Sequence, residues 1–418
     1  MSASSTIDYQ LPLVFERPVS ERSFALTDEL RKFHFQSRQT EVTERHGVPY
    51  FINEFWTSGQ RKANRLHEIS YRACFKPQLP AFFIERLTRR SDTVYDPFMG
   101  RGTTPLQAAL MGRRPVGNDV NPLSAMLLRP RLAPPSLEDI AARLADIPSS
   151  ASLPEGPLLD DLRVFFHDLV LARLAALRAW FIEREQSGAL DPADDWLRMV
   201  CLNRLTGHSP GFFSVYTMPP NQAVAAERQR RINAKRGQTP PLREIDALIL
   251  RKSRSLLSTG CPPPHLPALL GTALAEDADF VPDQCVDLVV TSPPFLDVVD
   301  YRTDNWLRCW FAGIDRELLS IAAYKTPGAW QSFIHESLRD IARTLHPGGF
   351  LAFEVGEVRG GKVLLEDQVI SATQGLPLTI IGVMVNEQNF TKTANCWSVN
   401  NNRKGTNTNR IVLMQRDR

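Results

Sequence analysis

No stretch of the chain approaches the ~20 consecutive apolar residues of a membrane-spanning helix, so a soluble protein is expected. Its six cysteines, Cys74, Cys201, Cys261, Cys285, Cys309 and Cys396, include no C-x-x-C pair, which removes both a disulfide framework and a structural zinc site. No H-x-E is accompanied by P-C-x-x-C, so zinc-dependent deamination lacks its ligands, and no metal is expected. Charge of one sign is also scarce. A net charge of +3 does not identify a polyanionic partner, and local clusters carry more information than the sum. The opening residues, MSASSTIDYQLPLVFERP, lack the basic-then-apolar order of a secretory leader, and a cytoplasmic location without membrane attachment is expected.

What is present is a globular composition, 43% hydrophobic and 23% charged, in a chain of 418 residues, long enough for a core domain with one sizeable insertion. Residues 1–75 read as a polar, irregular N-terminal arm with Phe55 and Trp56 beside Arg61, Lys62 and Arg65. From Pro80 the pattern becomes helix (AFFIERLTRR), strand (TVYDPF), glycine turn, helix (PLQAALMG) and strand (RPVGNDV), a βαβ unit that implies a right-handed crossover. Pro- and Ser-rich joints, PRLAPPSLEDI and IPSSASLPEGP, then introduce strongly helical runs. The α/β texture resumes with LLGTALAED, CVDLVVTSPPF, a helix through IHESLRDIARTL, the turn HPGG and the strand FLAFEVG, and closes on RIVLMQR. The expected division is a catalytic domain over 76–132 and 266–418, interrupted by a helical insertion over 133–265.

In DPFMGRGTT, Asp96 ends a strand, Gly100 and Gly102 form the turn, and Thr103 and Thr104 open the next helix. Glycine lets the backbone approach a ligand closely, and ligands of open α/β sheets bind at the carboxyl ends of strands. Asp119 ends the following strand, where a carboxylate can accept from both hydroxyls of a ribose. A dinucleotide fingerprint would need a third glycine where Pro105 stands, so NAD is disfavoured. Taken alone, the turn is equally well read as a tight structural connection.

A second strand, Val286 to Val290, delivers Thr291, Ser292, Pro293, Pro294 and Phe295 to its carboxyl end. An exocyclic amine on a nucleobase is a poor nucleophile because its lone pair is conjugated with the ring. Acceptors aimed at its protons draw the nitrogen toward tetrahedral geometry. The Ser292 hydroxyl and the Pro293 carbonyl suit that task, paired prolines hold them in place, and Phe295 offers a face for an extruded base. A structural turn is the plain alternative for this tetrapeptide too. Carbon-5 methylation of cytosine would need a cysteine nucleophile, which follows a proline in its known family; no Pro-Cys dipeptide occurs here.

Together, DPFMGRGTT, TSPPF and the preceding HEISYRACFKPQLPAFFIERL resemble the amino-group DNA methyltransferases, the family that makes N4-methylcytosine and N6-methyladenine. The resemblance covers about 65–135 and 268–418. It implies an α/β, Rossmann-like class I methyltransferase fold, a mostly parallel twisted seven-stranded sheet with helices on both faces, and S-adenosylmethionine as cofactor. Residue by residue, it implies that Asp96, Phe98, Gly100, Gly102 and Thr103 frame the methionine and sugar, with Lys76, Pro77 and Asn121 nearby. Asp119 would take the ribose hydroxyls and Asp277 the adenine amino group; Ser292, Pro293, Pro294 and Phe295 would be catalytic. Ser-Pro-Pro is commoner among cytosine-N4 enzymes, which makes that amine the expected target, with adenine N6 as the alternative. The cofactor loop precedes the catalytic motif, an order shared with guanine-N2 RNA methyltransferases, so RNA is the second substrate class.

The expected partner is double-stranded DNA, with a cognate restriction endonuclease if the chain serves restriction-modification. The insertion is the candidate recognition region. Within RQRRINAKR, Arg228, Arg230, Arg231, Lys235 and Arg236 cluster beside Asn221, Gln222, Gln229 and Asn233, and can hold phosphates or base edges or form a solvated helix face. Tyr216, Phe212 and Phe213 are read as packing residues, and His67 and His208 as structural.

Overall fold

The computed structural model describes residues 21–57, 63–71, 74–218, 223–264, 266–296, 301–318, 324, 326–358, 363–387 and 408–418. Helix α1 (Glu21–Lys32) leads through a two-residue ladder, β1 (His34–Phe35) with β2 (Arg38–Gln39), into a hairpin of β3 (Glu41–Arg45) and β4 (Val48–Asn53). The βαβ region follows as α2 (Gln78–Leu87), β5 (Thr93–Asp96), α3 (Thr103–Leu110), β6 (Arg114–Asn118) and α4 (Pro122–Leu132). Six helices come next: α5 (Leu137–Asp146), α6 (Pro157–Arg163), α7 (Asp168–Gln186), α8 (Pro192–Arg204), α9 (Ala226–Arg236) and α10 (Ile245–Leu257). The sheet resumes with β7 (Leu269–Gly271) and β8 (Val286–Thr291), then α11 (Tyr301–Asp304), α12 (Trp306–Ala312) and α13 (Pro327–Thr344). After β9 (Leu345–Val355) and a ladder of β10 (Glu357–Val358) with β11 (Val363–Leu364) come α14 (Leu365–Ala372), β12 (Leu378–Glu387) and β13 (Thr408–Arg416).

One nine-stranded sheet runs in the order β3-β4-β12-β13-β9-β8-β5-β6-β7. Strands β7, β6, β5, β8 and β9 are mutually parallel, while β13 runs antiparallel to both its neighbours. The apolar runs of β8 and β9 have the near-continuous hydrophobicity of strands covered on both faces. From β5 the chain progresses outward to β6 and β7 on one side and to β8 and β9 on the other. That reversal opens a crevice at the carboxyl ends of β5 and β8, where open α/β sheets bind their ligands.

Seven strands make up the sheet from β7 to β12, as the sequence implies; the other two are a correction. The arm expected to be irregular supplies them: β4 pairs in parallel with β12, Tyr50 opposite Val383, and β3 closes the edge with the exposed, largely polar run E-V-T-E-R. Pro49 inside a six-residue run obscures the strand, since proline is a poor ladder partner. HPGG is likewise not a free turn. It lies within β9, where Gly348 at φ 80° accompanies a register shift against β8.

The helices of 137–257 do not form a separate core. Phe165, Phe181 and Trp196 pack in one cluster with Met99, Leu127 and Leu128, so the cofactor-side helices and the insertion are consolidated together. Among the described residues no helix is long and apolar enough to cross a membrane.

Candidate active site

Strands β5 and β8 are adjacent and parallel, with Val94 opposite Leu288 and Tyr95 opposite Val289. The glycine turn and the Ser-Pro-Pro-Phe tetrapeptide therefore leave the same rim of neighbouring strands. Thr291 Oγ1 donates to Asp96 Oδ1 at 2.6 Å, and Thr104 Oγ1 donates to the Val290 carbonyl at 2.9 Å. Asp96 Oδ1 also accepts the Phe98 amide at 3.1 Å. Burial pushes the Asp96 carboxyl up to about 7 despite these bonds.

Gly100 and Gly102 both occupy the left-handed region, at φ 51° and 76°. At Gly102 a Cβ would also lie 2.7 Å from Leu128 Cδ1, so space and backbone both require glycine there. Asp119 follows β6 with its carboxylate turned back on the loop: Oδ2 accepts the Gly100 amide at 2.8 Å and Oδ1 the Asn121 amide at 2.9 Å. Each oxygen keeps a further lone pair, the chemistry a vicinal diol needs, and burial raises this carboxyl as well. Beyond β7, Asn118 and the backbone of Ala273 exchange two bonds of 3.0 Å, fixing the loop that carries the exposed Asp277.

Other expected cofactor residues are engaged inside the protein. Asn121 caps α4 by accepting the Leu123 amide at 3.1 Å and reaches the Tyr71 hydroxyl at 3.3 Å. Thr103 Oγ1 accepts from Arg101 Nε at 3.1 Å. Lys76 is half-buried, its pKa lowered by burial and by Arg101; Pro77 is buried at the start of α2. Phe98 meets Phe333 edge-on at 5.8 Å, and Phe333 in turn stacks on Tyr324 at 4.6 Å.

Two buried arginines that the sequence reading passed over hold the turn. Arg101 donates to the carbonyls of Ile69 at 2.9 Å and Phe75 at 3.2 Å. Arg131 donates to the Leu66 carbonyl at 3.0 Å and to the carbonyl of Arg101 itself. Tyr71 is thereby kept against Gly100, where a Cβ would come within 3.8 Å of the ring. His67 sits beneath this knot, bonded to Gln107 at 3.0 Å; burial and the two arginines drive it down to about 3, so it is a neutral structural residue.

At the Ser-Pro-Pro turn, half-buried Ser292 stands beside the carboxyl of Glu354, near the end of β9, and favours its ionised form. Glu354 Oε1 accepts Asn409 Nδ2 at 2.9 Å, and burial raises its carboxyl to about 6. The Pro294 carbonyl accepts the indole N–H of the fully buried Trp330 at 2.8 Å, while Pro293 is buried and Phe295 half-buried. Glu354 and Trp330 were not anticipated. The former follows an apolar strand run, which is the only sequence signal it offers.

The arginine-rich helix is α9. Arg230 pairs with Asp161 at 2.8 Å, Arg231 with Glu227 at 3.1 Å, and Arg236 lies over the Tyr216 ring at 3.9 Å. Arg228 and Lys235 are exposed. Gln229 is buried on Asn233 and the Tyr216 carbonyl, whereas Asn221 and Gln222 lie outside the described residues. Among the described residues no cluster of His, Cys, Asp or Glu could hold a metal.

The sheet order, the switch point between β5 and β8, and the glycine turn followed by an acidic strand end define a Rossmann-like α/β fold with a ligand crevice at that switch point. Residues 9–125 match the family model described as DNA methylase. The chain is similar to the Type II methyltransferase M.MjaII of Methanocaldococcus jannaschii, 31% identical over 135 residues, 31% of this chain and 26% of that protein. It is also similar to the Type II methyltransferase M.BsoBI of Geobacillus stearothermophilus, 29% identical over 129 residues, 30% of this chain and 24% of that protein. The matches thus span about a quarter of the length of these curated relatives. Among solved structures, TrmN from Thermus thermophilus is 12% identical with a TM-score of 0.34, covering 85% of this chain and 53% of that one.

Proposed function

We propose that the chain transfers the methyl group of S-adenosylmethionine to an exocyclic amine of a flipped-out base in double-stranded DNA, N4 of cytosine being the target. When bound, the cofactor supplies an electrophilic methyl on a sulfonium, which passes by direct displacement without a covalent enzyme intermediate. Asp119 and the Gly100–Gly102 turn would hold its ribose and methionine, with Asp277 at the adenine.

One juxtaposition carries the reading: Ser292, just past the strand beside the cofactor turn, stands next to the buried carboxyl of Glu354 and favours its ionised form. A serine that donates its proton to a carboxylate turns its lone pairs outward, toward an amine N–H. The Pro293 carbonyl provides a second acceptor, and the amine nitrogen is drawn toward tetrahedral geometry. Once the methyl is transferred, the surplus amine proton has a path through Ser292 to Glu354. Phe295 would stack on the extruded base.

The helical stretch 133–265 is the proposed target-recognition domain, with Arg228 and Lys235 on α9 free to meet phosphate. A cognate endonuclease and a role in restriction-modification belong to the same proposal. Mass spectrometry of nucleosides from DNA treated with the protein and labelled cofactor tests it. N4-methylcytosine is expected, N6-methyladenine would overturn the choice of base, and label in RNA alone would overturn the DNA substrate.

A further inference from the structure

A second group of cations lies in the helical stretch, on other elements than α9. Arg204 ends α8, Arg251 and Lys252 lie on α10, and Arg65 comes from the segment leading to the glycine turn. Burial chiefly lowers both Arg204 and Lys252; Arg251 adds to it at Arg204, and Arg204 and Arg65 add to it at Lys252, so the four share one electrostatic neighbourhood. The carboxylate that acts on both Arg204 and Lys252 is Glu68, whose Oε2 holds Lys252 Nζ at 2.9 Å. Arg204 forms no ion pair among the described residues. Its guanidinium lies over the Phe212 ring at 4.3 Å, and its Nε is buried without a hydrogen-bond partner. A largely buried guanidinium whose nearby carboxylate, Glu68, is already bonded to Lys252 is costly to leave so, which makes an anion the natural complement.

The loop that faces these side chains is firmly held. Phe213 N donates to the Arg204 carbonyl at 2.9 Å, Phe212 N to Ser209 at 3.1 Å, and Thr217 N to Gly207 at 2.9 Å. At its tip a Cβ on Gly211 would lie 3.6 Å from Ser209 Oγ, 3.8 Å from Arg204 Nη1 and 3.9 Å from Arg251 Nη2. Those are ordinary contacts, and Gly211 is not in the left-handed region. Neither strain nor crowding requires glycine at 211; its missing side chain leaves a space faced by two guanidinium groups and a hydroxyl.

We propose that Arg204, Arg251 and Ser209, grouped around Gly211 with Lys252 behind them, bind a backbone phosphate of the DNA substrate. The proposal rests on the DNA reading above and adds the place where the duplex is gripped. Glu68 connects this place to the cofactor turn: its carbonyl accepts Asn203 Nδ2 at 3.1 Å, and the Ser70 amide donates to Asn203 Oδ1 at 3.0 Å. Three residues beyond Glu68, a span of at most ~11 Å of extended chain, Tyr71 packs on Gly100. The phosphate site thus lies beside the active rim, where a duplex offering a flipped base must pass.

The test is the salt dependence of affinity for a mixed-sequence duplex. Each phosphate contact contributes about 0.9 to the slope of log affinity against log salt concentration. Arg251→Gln, which alters an exposed side chain, should flatten the slope by about 1, and Arg204→Gln with Arg251→Gln by about 1 to 2. Arg114→Gln, the same charge change at the opposite end of β6, should leave it unaltered; thermal unfolding verifies that each variant is folded. A wild-type slope in both Arg251→Gln and the double variant would overturn the phosphate site while wild-type methylation of DNA stands. Absence of duplex binding by the wild type, or binding of RNA alone, would instead overturn the DNA reading on which the site depends.

Discussion

The Thr291 hydroxyl donates to the Asp96 carboxylate at 2.6 Å across 195 residues of sequence. Thr291 ends the strand that presents Ser292, and Asp96 ends the strand that presents the glycine turn, so one buried bond couples the two halves of the site. Thr104 repeats the coupling one turn further, from the start of α3 to the carbonyl of Val290. With strands β5 and β8 also paired, the two sides of the crevice are fixed as one rigid unit.

Asp96 makes that unit sensitive to pH. Its carboxyl is raised from the ordinary 3.8 to about 7, chiefly by burial. Below the unfolded value the group is protonated in both states and the fold has its full contribution; as pH rises through about 7 that contribution is lost, because the folded state must then bury a charge. Asp96→Asn retains one carbonyl oxygen for Thr291 and Phe98 but never ionises. The variant should therefore melt above the wild type at pH 8 and lose that advantage toward pH 4, with an upper bound of about 4 kcal/mol. Thermal unfolding across the pH range checks this, and a difference independent of pH would refute it.

The Ser292–Glu354 pair should appear in the pH dependence of turnover. Burial places the Glu354 carboxyl at about 6, and only its ionised form can accept the serine proton. Wild-type kcat should rise with pH through about 6. Glu354→Gln should lower kcat by roughly 10²-fold and abolish that rise. Ser292→Ala should likewise depress turnover far more than cofactor affinity. Single-turnover rates paired with calorimetric titration of S-adenosylmethionine separate the two effects, and equal losses in both would remove Ser292 from its role.

Much of this site is legible in the sequence because its parts are local. Glycines that must adopt φ above zero, an acidic residue at a strand end and a proline-fixed turn all announce themselves within a few residues. The order of the motifs along apolar strands is enough to bring Gly100 and Pro293 to one rim. What stays hidden is long-range: Glu354 and Trp330 read as an ordinary strand residue and an ordinary helix aromatic, and only the fold aims them at the turn. Arg101 and Arg131 look like surface charges until their carbonyl partners at 66–75 are known. The edge hairpin was concealed by Pro49 and by a partner strand more than 300 residues away.

Trp330 gives a sharper test of positioning than of packing. Its indole N–H donates to the Pro294 carbonyl at 2.8 Å from inside a fully buried aromatic site. Trp330→Phe preserves most of the apolar contact and deletes that donor, at a stability cost of about 1 kcal/mol. If the bond orients the catalytic turn, kcat should fall several-fold while the dissociation constant for S-adenosylmethionine stays near the wild-type value. A loss confined to thermal stability would reduce the tryptophan to a packing residue.

Asp119 anchors the glycine loop and, in the proposed function, would also accept the ribose hydroxyls, and the two duties can be separated. Its oxygens hold the amides of Gly100 and Asn121, so Asp119→Ala removes both the loop anchor and the diol acceptor. Asp119→Asn keeps one oxygen able to accept an amide, but it puts an N–H₂ donor where the other oxygen stood and discards the charge. Hydrogen bonds to a charged acceptor contribute about 1.5–3 kcal/mol, so Asn should weaken S-adenosylmethionine binding by roughly ten-fold or more with little change in melting temperature. Ala should weaken binding further and also lower the melting temperature. Calorimetric titration of both variants reads the first effect and thermal unfolding the second. Cofactor affinity untouched in Asp119→Ala would mean that the carboxylate serves the loop alone and that the ribose is held elsewhere.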